Sequence, residues 1–217
     1  ILSTFIDISE RRRHEKLMKA SFERRRTNEL MNELVRADNP SRQIVFDSAR
    51  LMGEHYMSPY SCCLFVIEEY QSHDNAYWQH HPTEYHLVQD AVFSALEAEG
   101  RIVWETADGI GVVVFEPAPD GLSLDKQRKL SEQLLNEVTA HCPGLKLTVG
   151  IADPACNIAE LPAHYRQALT AVHCGRKIWP QQLSYLYGEL GVYQLLSGFN
   201  DPRQRDAYIE RMLGKLL

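Results

Sequence analysis

No stretch of this 217-residue sequence approaches the roughly 20 apolar residues that a membrane-spanning helix needs. CxxC spacing is also missing. The five cysteines, Cys62, Cys63, Cys142, Cys156 and Cys174, are an odd number, which argues against a disulfide framework and a zinc site. They read as reduced, buried thiols of a cytoplasmic protein. Neither a Walker-type phosphate loop nor GxGxxG occurs, and no GxSxG marks a nucleophile elbow. His80, His81, Glu84 and His86 crowd together, but Pro82 interrupts them and the spacing is not HExxH. An excess of positive charge is lacking too. Residues 1–40 hold nine Lys/Arg and seven Asp/Glu, so the net −6 chain carries −8 over residues 41–217. A body that acidic is a poor match for nucleic-acid phosphates. There is no signal peptide; the opening on Ile1 without methionine reads as a piece cut from a longer protein.

What is present is a patterned α+β chain. ILSTFIDI, residues 1–8, reads as a short strand, with Ser9 capping a helix from about 10 to 36. Leu17, Phe22, Met31, Leu34 and Val35 give that helix an apolar side. Its arginine runs, interleaved with Glu15, Glu23, Glu29 and Glu33, read as a solvated face. After Asn39-Pro40, Ser41 caps a helix over 42–53 that Gly53 stops. SCCLFVIEEY, 61–70, is apolar enough for a buried central strand, with Cys62 and Cys63 on opposite faces.

A helical pattern over 84–99 leads to RIVWETADGIGVVVF. Asp108-Gly109 is a two-residue turn signal between two β-branched and aromatic runs, so a β-hairpin is expected. A loop at 117–121, a helix over 123–141 and a strand at 146–152 come next. Asn157 and Glu160 resemble a capping box before a helix carrying Ile158, Leu161, Tyr165, Ala168, Leu169 and Val172. A short strand at 183–187 and helices at about 189–198 and 201–217 end the chain. Trp78, Trp104 and Trp179 read as packing residues. The order β-α-β-β-α-β opens a ferredoxin-like sheet, expected to be antiparallel with helices packed on one face.

This order, the strand at 61–70 and the hairpin resemble a GGDEF-type nucleotide cyclase domain. The resemblance implies a strand aspartate, a second acidic group two residues later, and hairpin carboxylates, which together hold two magnesium ions against a triphosphate. The strand aspartate falls on Val66 and the second acidic position on Glu68. The signature falls on Ala107, Asp108, Gly109, Ile110 and Gly111. Valine cannot ligate a metal, and Asp108 reads as a turn former. The hairpin is therefore expected to lack catalysis, with no catalytic, cofactor-binding or metal residue assigned.

Two finer resemblances cover most of the chain. Val149-Gly150-Ile151-Ala152, Tyr165, Ala168 and Ala171, and Leu195-Leu196 resemble the degenerate GGDEF-like domain of PucR/CdaR transcriptional regulators. STFIDISERRRHEKL resembles the exit strand and linker helix of a PAS sensor domain. They imply the end of a PAS-like domain at 1–8, a signalling helix at 9–40 and a GGDEF-like domain at 41–188. C-terminal helices at 189–217 would lead to an absent helix-turn-helix domain. The expected partners are a second copy, paired through Leu17 and Phe22, and a small-molecule effector at the PAS domain. DNA would be met only through the missing domain, and no membrane is involved. The alternative is a divergent cyclase-like nucleotide-binding domain.

Overall fold

The computed structural model describes residues 2–37, 40–70, 81–115 and 123–197. The loop expected at 117–121, the helix expected at 201–217, and Asn39, Trp78 and His80 lie outside them.

Helix α1 spans Leu2–Arg36 without interruption. The strand expected at 1–8 is therefore helix from Leu2 onward, and Ser9 lies inside α1 rather than capping it. Local β-propensity yields to helical continuity, because no Gly or Pro interrupts the run. Helix α2 (Arg42–Met52) starts at Ser41, whose hydroxyl accepts from the Ile44 amide at 3.3 Å, and Gly53 closes it. Strand β1 (Tyr60–Tyr70) follows. Helix α3 (Pro82–Leu96) has Pro82 in its first turn, so that proline starts the helix instead of breaking it.

The hairpin is β2 (Arg101–Glu105) with β3 (Ile110–Phe115). Then come α4 (Leu124–His141), β4 (Leu145–Ile151), α5 (Leu161–Ile178), β5 (Ser184–Leu186) and α6 (Val192–Ser197). Asn157 caps the 3-10 turn before α5 through the Ala159 amide, 3.0 Å away.

The strand order is β2-β3-β1-β4-β5. Its first four strands are the expected ferredoxin-like arrangement, all antiparallel, and β5 extends it by pairing parallel to β4. A parallel pair needs a crossover, and α5 supplies it. The α+β fold stands as expected, but helices cover both faces rather than one. Cys63, Phe65 and Ile67 of β1 pack with Val92 and Leu96 of α3 and with Leu134 and Val138 of α4. Tyr60, Cys62 and Leu64 pack with Met31 and Leu34 of α1, Met52 of α2 and Ala168 of α5. Strand β1 is thus buried on both sides, which is what its near-continuous apolar run encodes.

The two adjacent cysteines do face opposite ways, and burial pushes the Cys63 thiol up to about 12, leaving it a neutral packing group. All five cysteines are free. Among the described residues no helix is long and apolar enough to cross a membrane.

Candidate functional site

The face of the sheet under α5 carries Val66 and Glu68, two of the positions that the cyclase resemblance singles out. Val66 sits opposite Thr148 of β4 and packs against the apolar cluster of that face. Two residues on, at the edge of an irregularity in the β1–β4 register, Glu68 is only 21% exposed. Its carboxylate accepts from the Thr148 hydroxyl at 2.7 Å and forms an ion pair with Arg176. Arg176 also donates to Thr148 Oγ1 at 3.0 Å, closing a triangle. Arg176 comes from the last turn of α5, where the helix dipole favours a cation. Its Nε is buried without an acceptor among the described residues.

The hairpin turn differs from expectation by one residue. The Thr106 amide donates to the Gly109 carbonyl at 2.8 Å, so Ala107-Asp108 forms the tip and Gly109 closes the loop. The cause is the Thr106 hydroxyl, which accepts from the Asp108 amide at 3.1 Å and the Gly109 amide at 3.0 Å. Gly109 has φ 150°, and a Cβ there would meet the Phe65 carbonyl oxygen at 2.0 Å. At Gly111 a Cβ would lie 2.3 Å from the indole of Trp104, which is fully buried.

Asp108 does more than shape the turn. Tyr165 of α5 donates its hydroxyl to Asp108 Oδ2 at 2.8 Å and lies 2.9 Å from Thr106 Oγ1. Burial first, and the Asp108 carboxylate with it, hold the phenol well above its ordinary range.

The five predicted positions therefore fall on two adjoining pieces, β1 and the hairpin, both under α5. Val66 offers no donor, Gly109 and Gly111 serve close packing, and the two carboxylates are each held by an α5 side chain. Sequence reasoning missed the roles of Arg176, Thr148 and Thr106, and took Tyr165 only as a motif residue. A magnesium pair does not fit this donor set: valine, glycine and isoleucine stand at three of the carboxylate positions, and Glu68 at the fourth is neutralised by a guanidinium. Among the described residues no group of three or more His, Cys, Asp and Glu could hold a metal ion. In the histidine-rich stretch, His81 Nδ1 lies 3.7 Å from Glu84, while His86 Nδ1 contacts Gln89 at 3.1 Å.

Leu17 and Phe22 both lie on α1. Phe22 is 69% exposed, and the side chain of Leu17 is outside the described set. Farther along, Met31, Leu34 and Val35 are buried against the body.

The profile of the GGDEF-like domain matches residues 37–174. Among solved structures, an EAL/GGDEF domain protein from M. capsulatus is similar at 16% identity, over 68% of this chain and 99% of that one, with a TM-score of 0.44. The coiled coil and GGDEF domain of DgcB from Caulobacter crescentus, solved with c-di-GMP, is similar at 12% identity. That match covers 85% of this chain and 99% of the other, with a TM-score of 0.45. The GGDEF domain of YfiN (TpbB) from Pseudomonas aeruginosa matches at 16%, over 69% and 96%, with a TM-score of 0.42. Among curated proteins, none matches the sequence.

Proposed function

The chain belongs to the GGDEF-like domain family, and we propose that it is a non-catalytic relay and dimerisation module from the middle of a bacterial PucR/CdaR-type transcriptional regulator. One observation carries the proposal. Valine stands where the strand aspartate would, Gly109 and Ile110 stand where the hairpin carboxylates would, and the one carboxylate left at a cyclase position, Glu68, is engaged by Arg176. In this reading α1 receives a signal from an upstream PAS domain that binds a small-molecule effector. The body passes it to a helix-turn-helix domain beyond Leu217, which meets DNA. The acidic body supports the assignment of DNA contact to that other domain.

Two copies would pair along the middle of α1, where Met18 and Phe22 are exposed. Burying a Phe or Leu contributes about 1.5–3 kcal/mol, so Leu17→Asp with Phe22→Asp weakens the dimer in sedimentation velocity. A wild-type monomer at concentrations of about tens of micromolar, which would put the net pairing free energy weaker than about −6 kcal/mol, overturns the pairing.

The family is GGDEF-like, and Glu68 persists as an acidic group at a position a cyclase would use, which favours a second reading: a divergent nucleotide-binding domain. Calorimetric titration with GTP and magnesium separates the two. The relay reading expects no saturable heat, and a micromolar isotherm establishes the second.

A further inference from the structure

We propose that α1 is latched to the hairpin by Arg24, Asn28 and Asn32, and that this latch sets the position of the turn carrying Asp108. The inference rests on the reading that α1 carries a signal, and it names the route that signal takes.

Strand β2 is an edge strand, with one row of backbone groups not served by the sheet. At its last residue those groups are served by α1. The Glu105 amide donates to Asn28 Oδ1 at 3.1 Å, and the Glu105 carbonyl accepts from Asn32 Nδ2 at 2.7 Å. Residues four apart lie on one helix face about 6 Å apart along the axis, so the two side-chain amides reach the N–H and the C=O on either side of one Cα, that of Glu105. One turn earlier, Arg24 continues the stripe. It pairs with the Glu105 carboxylate and with Asp90 of α3 at 2.6 Å, and its guanidinium stacks 3.8 Å above the Phe93 ring. Backbone and side chain of Glu105 are thereby both held by α1.

The residue after Glu105 is Thr106, whose amide and hydroxyl organise the turn and whose hydroxyl meets Tyr165. A rotation of α1 must either break the two bonds to Glu105 or move Glu105 with it, and the turn follows. Met31, Leu34 and Val35 keep α1 on the body, but apolar burial is non-directional. The polar stripe is what specifies register.

Amide hydrogen exchange on the whole chain tests this with two isosteric variants. Asn32→Asp removes the donor to the Glu105 carbonyl. Asn28→Asp keeps the acceptor for the Glu105 amide. Loss of one such bond speeds local exchange by about tenfold. Asn32→Asp is expected to do so at Thr106, Asp108 and Gly109, with the amides of residues 31–36 unchanged and Asn28→Asp close to wild type. Unchanged turn exchange in folded Asn32→Asp, or equal effects of the two variants, overturns the latch. Should Asn32→Asp not fold, Arg24→Met must raise exchange at the same amides, and no rise overturns it. Failure here leaves the non-catalytic reading standing, whereas a GTP isotherm removes that reading and leaves the latch intact.

Discussion

The two faces of the sheet are built from different chemistry. Under α3 and α4 the buried cluster is hydrocarbon and sulfur: Phe65, Ile67, Val112, Val149, Leu134 and Val138. Its notable polar contact, Arg101 bidentate to Glu137 at 2.5 and 3.0 Å, lies between β2 and α4 at the margin. Under α5 the cluster is interrupted by directed polar contacts, Glu68 with Arg176 and Thr148, and Tyr165 with Asp108. One face holds the fold by area, while the other fixes where individual groups point. The candidate site lies on the second, because non-directional burial cannot aim a side chain.

This contrast can be broken by substitution. The largest effect is expected for Phe65→Ala, which removes a fully buried ring from the hydrocarbon face. A loss of about 3–5 kcal/mol in urea unfolding is the usual range for such a site. A loss under 1 kcal/mol would mean that this face is not where stability resides.

Arg176→Met should cost less. It leaves Glu68 unpaired, but both side chains keep some solvent, 30% and 21%, so about 1–2 kcal/mol is expected, between the surface and buried cases. Replacing both partners by methionine should recover most of that loss. Equal destabilisation by the single and double variants would show that the pair matters for packing rather than charge.

The smallest effect concerns acid. Arg101 donates to Glu137 and holds its carboxyl below the ordinary value. A depressed carboxyl adds stability above its unfolded value of about 4.3, and that stability is lost as pH falls through the lower folded value. Glu137→Gln is therefore expected to unfold more easily than wild type near neutral pH, by under about 1 kcal/mol for a partly exposed pair. The two should converge as pH falls through the depressed folded value, where wild type loses the same stabilisation. A difference that does not narrow in acid would remove Arg101 as the cause.

Elements whose pattern is local were legible in the sequence. The apolar run of β1, the cap at Ser41 and the hairpin strands each carry their signal within a few residues, whereas Asn157 bonds the Ala159 amide of a 3-10 turn and does not form the expected capping box with Glu160. The turn was displaced by one residue because the Thr106 hydroxyl captured two amides, a competition that a dipeptide signal does not encode. Residues 2–8 differ from the sequence reading for a similar reason: the local β-propensity of their β-branched residues does not encode the helix that follows them. The candidate site was legible in position and not in partnership. Val66, Glu68 and Asp108 could be located, but Arg176 meets Glu68 across more than a hundred residues, and Tyr165 meets Asp108 across 57. Asn28 and Asn32 look like solvated helix polars until β2 arrives beside them.

The packing of Trp104 against Gly111 has a consequence for how this sequence can change. A side chain at position 111 and an indole at position 104 exclude one another, since the space for the first Cβ is already filled. Mutational order therefore matters. Enlarging residue 111 is harmful while Trp104 is present and becomes tolerable once residue 104 has shrunk, but shrinking Trp104 first opens a cavity in the core. Each single step runs downhill in fitness although the double change need not. Such sign epistasis leaves no smooth single-step route from this pair of residues to a bulky side chain at position 111.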